Sequence, residues 1–212
     1  SLINAAFSRQ QAVLLERVRI IADLHDDVGG GLSSIRMMSD LMGQQQAEKA
    51  NMGPVNFAHK ISDTARDIAQ RMNTIIWSLN TENDSLQNFV EYVRQFGISF
   101  FENSGIQFQC NNSNNLPHVE LSGVQRKNLF LIIKEALHNV LKHSGAQNCT
   151  VHILMQNHRL SIGVVDNGIG ILNPNSFGNG LKNMKKRMEE INGEISFDSE
   201  KGARINFSIH LH

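Results

Sequence analysis

Apolar residues in the first part of the chain recur at helical spacing: Ile20, Ile21, Leu24, Val28, Leu32 and Ile35, with Leu14 upstream on the same stripe. At about 100° per residue, Leu24, Val28, Leu32 and Ile35 share one side of an amphipathic helix. Gly29, Gly30 and Gly31 interrupt it. Each glycine costs a helix about 1 kcal/mol against Ala, and end signals alone would stop the helix there. The stripe resumes in register at Leu32, Ile35 and Met38, so the spacing predicts one weakened helix continuing to about Met42. Residues 1 to about 15 read as its lead-in. Gly43 to Pro54 is polar and reads as a connection. Then Phe57, Ile61, Ala65, Ile68, Met72, Ile75 and Leu79 step by fours and threes, a near-heptad seam.

Two long helices and a loop predict an antiparallel helical hairpin. One hairpin leaves apolar surface bare. Two hairpins from two chains close a four-helix bundle, which predicts a homodimer. Trp77 falls roughly opposite the seam, where it either docks a following domain or is covered by its own chain.

Thr81 to Ser85 breaks the pattern and sets the expected domain boundary, 1–81 and 82–212. Beyond it, Leu86, Phe89, Val90, Val93, Phe96 and Phe100 mark a helix, and Ile106, Phe108 and Cys110 a strand. Ser122 and Gln125 match a capping box opening a third strong helix, which Gly145 ends. Strands follow near 149–155 and 159–166, then a loop rich in Gly and Asn, a helix through Leu181, Met184 and Met188, and strands near 194–198 and 203–210. This order predicts an α+β sandwich with helices on one face of a mixed sheet.

Composition narrows the function. Twenty basic and twenty acidic side chains cancel, so no basic field draws nucleic acid. The two cysteines, Cys110 and Cys149, form no framework and suit a reducing compartment. No apolar run reaches the roughly 18 residues that span a bilayer. The chain begins with Ser. It is therefore expected to be a piece of a longer protein, with any sensor or membrane segment upstream.

Two constellations carry chemistry. In the first helix His25 sits on the border of the apolar stripe, followed by Asp26 and Asp27. Alone, such a His is an ordinary surface residue. The second constellation has three pieces that suit a nucleoside triphosphate. Glu135, Asn139 and Lys142 fall on one helix face, with His143 beside them. An amide oxygen at Asn139 suits Mg²⁺, and Lys142 and His143 suit phosphate oxygens. Asp166-Asn-Gly168-Ile-Gly170 ends an apolar strand, with a carboxylate to accept from an exocyclic amine and glycines that let backbone approach a flat base. Gly178-Asn-Gly180-Leu181 opens a helix, whose free N–H groups attract phosphate.

The first stretch, with Leu24-His25-Asp26-Asp27 at its centre, resembles the phosphoacceptor segment of sensor histidine kinases of the NarX/DesK type. The three later pieces resemble the N, G1 and G2 boxes of GHKL (Bergerat-type) ATPases. The resemblance implies a helical hairpin for dimerisation and phosphotransfer, followed by an ATP-binding domain. It implies phosphorylation of His25 from ATP with Asp26 handling the proton, and transfer to an aspartate of a response regulator receiver domain. It implies Asn139 as the Mg²⁺ ligand, Asp166 as the adenine reader, and Gly168 and Gly170 shaping the base pocket. Gly178 and Gly180 would line the phosphates, with Glu135 as the acid nearest the γ-phosphate. It implies a cytoplasmic portion of a protein anchored in a bacterial membrane. Two departures stand out. Gly30 occupies the place of a Gln that positions water for phosphatase action, and Gly202-Ala203 replaces Gly-Thr. The competing readings are an ATP-binding dimeric scaffold without transfer activity and an ATP-hydrolysing clamp, neither of which needs His25.

Overall fold

The computed structural model describes residues 2–47, 55–113, 116–171, 179–199 and 201–211; the side chains of 2–6, 8, 9, 12, 13, 16, 17, 19, 23–27, 43–47, 55–57, 67, 70, 71 and 81 fall outside that description. The chain forms two compact units, Ser1–Asn80 and Thr81–His212.

The first unit is two helices, α1 (Leu2–Ala47) and α2 (Val55–Leu79), packed against each other. Helix α1 runs unbroken through the three glycines, as the resumed stripe predicts. It also corrects two expectations. Residues 2–15 are already helix rather than a lead-in, and Gly43–Ala47 is helix rather than connection. Gln44, Gln45, Gln46 and Ala47 are good helix formers, so their polarity did not make them a loop. The remaining connection, 48–54, lies outside the described residues. Trp77 is half-buried.

The glycines divide by role. A Cβ on Gly31 would meet Ile68 Cδ1 at 2.6 Å, so Gly31 lets α2 approach closely. A Cβ on Gly29 or Gly30 meets nothing within 4 Å. Gly30→Ala is therefore expected to raise stability by about 1 kcal/mol through helix propensity alone. Gly31→Ala is expected to gain less, because Ile68 must move. Urea unfolding of the two variants checks the difference.

The second unit opens with a short 3₁₀ turn, Thr81–Asn83. Helix α3 (Leu86–Phe101) follows, capped by Ser85, whose hydroxyl accepts from Asn88 N–H. Strand β1 (Gln107–Asn112) leads to α4 (Gly123–Asn139). The capping box is present at its start: the Ser122 hydroxyl accepts from Gln125 N–H, and the Gln125 side chain from Ser122 N–H. Such a cap is worth about 1 kcal/mol. Then come β2 (Asn148–Gln156), β3 (Arg159–Asp166), α5 (Gly180–Glu189), β4 (Glu194–Asp198) and β5 (Arg204–His210).

The sheet order is β1-β2-β3-β5-β4. β1 and β2 are parallel and every other pair is antiparallel, so the sheet is mixed as expected. Alternation sends one set of side chains inward. Cys149, Val151 and Ile153, Leu160, Ile162 and Val164, and Ile205, Phe207 and Ile209 are buried, as are Leu129, Ile133 and Leu137 of α4 and Met184 and Met188 of α5. Phe96 of α3 meets Phe130 of α4 edge-on at 5.0 Å. His152, Arg204 and Asn206 face outward and are exposed.

The segment before α3 is fastened inside this unit. Asp84 accepts from the guanidinium of Arg126, which is 2% exposed and also donates to Leu121 C=O at 2.5 Å. Leu121 N–H donates to Asp84 C=O, and Leu86 N–H to Val119 C=O. Among the described residues no helix is long and apolar enough to cross a membrane.

Candidate functional site

Helix α4 stays α-helical to Asn139 and then widens into a π turn, Val140–Ser144, ended by Gly145 at φ 61°. Single π turns recur at functional sites because the wider spacing re-aims side chains. Here it changes the predicted face. Asn139 is 9% exposed rather than on a solvated surface. Lys142, expected beside Asn139 at constant α pitch, is exposed and lines no part of the cleft. His143 and Ser144 do line it.

Strand β3 delivers Asp166, which is 4% exposed. Its Oδ1 accepts from Gly168 N–H at 2.8 Å and Ala203 N–H at 3.3 Å. Among the described residues no hydrogen bond reaches Oδ2, which is left for a ligand donor. The loop that follows is tied down closely. Asn167 Oδ1 accepts from the N–H groups of Gln147 and Asn148, and Ile169 N–H donates to Ser144 C=O. Any Cβ on Gly168 would land on that same carbonyl, so only glycine fits.

At the start of α5, Glu135 of α4 reaches Gly180: a Cβ there would overlap Glu135 Oε1. Gly178 lies outside the described residues.

Asn139, His143, Asp166, Gly170 and Leu181 thus line one cleft between α4, the end of β3 and α5. Val140, Val164 and Ile205 give it apolar walls. Glu135, Gly168 and Gly180 sit behind or beside this lining, and Lys142 is outside it. The Asn139 Nδ2 atom is buried without a hydrogen-bond partner. Leaving a buried amide unmet costs about 1–3 kcal/mol, which marks a place that a ligand completes. A half-turn of the same amide presents its oxygen, a hard donor that suits Mg²⁺. Among the described residues no three His, Cys, Asp or Glu side chains converge as a metal cage. The donor set therefore fits a cation that arrives with phosphate oxygens of its own.

Cys149 is Asp166's partner across β2 and β3. Burial pushes its thiol up to about 12, with the Asp166 charge adding to the effect. It is an inert core residue rather than a nucleophile. A wider hollow on the open face of the sheet, lined by His152, Arg159 and Arg204 among others, contains none of the predicted site residues. His25 and Asp26 lie within α1, and their side chains are outside the described ones.

Two parts of the cleft were not singled out from sequence: the Ser144 and Asn167 contacts that hold the loop, and the apolar walls. Ser144 did have a signal, its place in the Lys142-His143-Ser144 run. The walls read only as core.

Residues 124–212 match the family of histidine kinase-, DNA gyrase B- and HSP90-like ATPases, and residues 16–84 match a histidine kinase family. Sensor histidine kinase DesK of Bacillus subtilis (strain 168) is 30% identical over 200 residues, covering 92% of this chain and 51% of that protein. Sensor histidine kinase LnrJ of the same organism is 28% identical over 202 residues, covering 93% and 48%. The chain spans about half the length of these relatives. The solved Acinetobacter baumannii histidine kinase AdeS shares the fold, with a TM-score of 0.60 at 12% identity over 85% of this chain and 97% of that one. The chain thus joins a histidine kinase family segment to a histidine kinase-, DNA gyrase B- and HSP90-like ATPase module, and it is homologous to the sensor histidine kinases DesK and LnrJ.

Proposed function

We propose that the chain is the kinase core of a two-component system. It moves the γ-phosphoryl group of ATP to His25, and from there to an aspartate on a response regulator receiver domain. The observation that carries this is a single cleft gathering Asn139, Asp166 and Leu181 in an ATPase module, on a chain whose other segment matches histidine kinases.

In this reading Asp166 Oδ2 accepts from the exocyclic amine of adenine, and the apolar walls flank the base. Gly168 and Gly170 keep the loop thin beside it. Gly180 offers its backbone N–H to phosphate where α5 begins, and the same phosphate-lining role is proposed for Gly178 from its place in the sequence motif. Asn139 would hold Mg²⁺, which when bound offsets charge on the phosphates. Glu135, close to Gly180, is the acid nearest the γ-phosphate, and His143 lines the cleft as a further phosphate donor. Lys142, exposed, carries no role. Neutral His25 attacks phosphorus through one ring nitrogen while Asp26 takes or orients the proton on the other, and ADP leaves. Incubation with γ-labelled ATP and Mg²⁺ tests the reading: label should enter the chain as an acid-labile adduct. Gly30 presents no side chain, so phosphatase action on the regulator is not part of the proposal. Domain roles follow the same division, 1–81 for dimerisation and phosphotransfer and 82–212 for ATP binding. The whole protein is proposed to carry a sensor domain upstream and to hold this portion on the cytoplasmic side of a bacterial membrane.

A homodimer completes the hairpin. Helix α1 has 46 residues and α2 only 25, so α1 outruns its partner by roughly 30 Å at 1.5 Å per residue. Phe7, Leu14, Val18, Ile21 and Leu32 on α1 are all more than half exposed. Their spacing keeps to a heptad seam, the pattern that a second helix covers. Leu14→Glu combined with Val18→Glu is expected to weaken self-association at least tenfold in sedimentation equilibrium, with Ile98→Glu on the ATPase unit as the neutral control. An unchanged dimer would sink the seam.

A further inference from the structure

We propose that Ser199 is a positioning residue of the nucleotide cleft, its hydroxyl latching the far end of the loop that carries Asp166. The proposal rests on the reading of the cleft as a nucleotide site.

Besides the contacts of Asn167 with Gln147 and Asn148, the loop from Asp166 to Ile171 is held at three points. At its start, Asp166 N–H donates to Ala203 C=O at 3.0 Å. In its middle, Ile169 N–H donates to Ser144 C=O at 2.9 Å. At its end, Ile171 N–H donates to Ser199 Oγ at 2.7 Å. The first two ties are backbone to backbone, so no side-chain change removes them. The third depends on one hydroxyl, supplied from the turn between β4 and β5, 28 residues further along the chain.

The geometry around that hydroxyl explains a neighbour. Gly170 has φ 76°, and a Cβ on it would lie 2.5 Å from Ser199 Oγ and 3.3 Å from Gly202 C=O. The glycine lets the β4–β5 turn close over the loop so that the hydroxyl reaches the Ile171 amide. Gly170 and Ile171 line the cleft, whereas Ser199 is exposed and does not. Ser199 therefore acts on the ligand only through the wall it holds. The turn itself is pinned from within, since Ser199 N–H donates to Asp198 Oδ1 at 2.6 Å. A wall pinned by both β4–β5 contacts is pre-formed, and pre-formed sites spend less binding free energy on ordering.

The test uses the whole chain and ADP as probe. Ser199→Ala should raise the ADP dissociation constant, and KM for ATP, about fivefold to tenfold, the size of one hydrogen bond. The rate of His25 labelling at saturating ATP should stay within twofold. Hydrogen exchange at the Ile171 amide should quicken about as much in the absence of nucleotide, with the β4–β5 ladder amides unchanged. Ser199→Thr, which keeps the hydroxyl, should restore both values. Gly170→Ala attacks the same contact from the loop side and should reproduce the rise in KM. Four results would overturn the latch: ADP affinity unchanged in Ser199→Ala, unchanged Ile171 exchange, equal damage in Ser199→Thr, or a loss confined to the saturated rate. A wild-type chain that binds no ADP would instead overturn the nucleotide reading, and the exchange measurement would still report on the contact.

Discussion

Replacing His25 with Gln is expected to abolish acid-labile labelling of the chain by γ-labelled ATP while nucleotide affinity stays within twofold of wild type. The amide has no ring nitrogen with a lone pair free to attack phosphorus, and no other residue is proposed to receive the group. Nucleotide affinity should survive because every residue that lines the cleft belongs to the second unit, beyond Thr81. Asp26→Asn gives the graded companion. It keeps shape and loses the proton acceptor, so labelling should slow by about 10²–10⁴-fold, the usual range for removing a general base. Filter-bound label after acid and after base treatment distinguishes phosphohistidine from phosphoserine. Label that persists in the His25 variant, with the same acid lability, would remove His25 from the mechanism.

Asp166→Asn should weaken ATP binding by about a hundredfold without unfolding the domain. The substitution keeps shape, and the amide oxygen can still accept from Gly168 N–H and Ala203 N–H where Oδ1 does now. The second oxygen becomes an NH₂ group and faces the exocyclic amine of adenine, donor against donor. Losing a charge-assisted bond in a buried site costs about 1.5–3 kcal/mol, which is one to two powers of ten in affinity. Titration calorimetry with ATP measures it. Asn139→Ala separates the two halves of the ligand: binding in EDTA should change little, and the gain from added Mg²⁺ should vanish. Equal ATP affinity in wild type and Asp166→Asn would mean that this carboxylate does not read the base.

Much of this molecule could be read along the chain because the deciding interactions are local. The hairpin follows from apolar spacing, and the Ser122 cap from four residues. The unbroken α1 was legible because a stripe that resumes in register after Gly31 outweighs the propensity loss of three glycines. Position 142 lies off the cleft lining for a specific reason. Helix arithmetic assumes constant pitch, and the π turn after Asn139 breaks it. Nothing in the residues 140–144 taken alone announces that turn; it is seen with the Ser144 carbonyl held by the Ile169 amide and the Ser144 hydroxyl by Val140 C=O and Ala146 N–H. The Ser199 contact was equally invisible, because it joins a hydroxyl to a main-chain amide from a distant strand end. Motif spacing singles out the groups proposed to touch a nucleotide, and misses those that hold them still.

The fastening of Asp84 to Arg126 sets where the ATPase unit can be cut free. A fragment beginning at Leu86 would delete the carboxylate that faces the buried Arg126 guanidinium, and removing one partner of such a pair is destabilising. The stretch just before α3 is therefore a structural part of the ATPase unit, fastened to the first turn of α4.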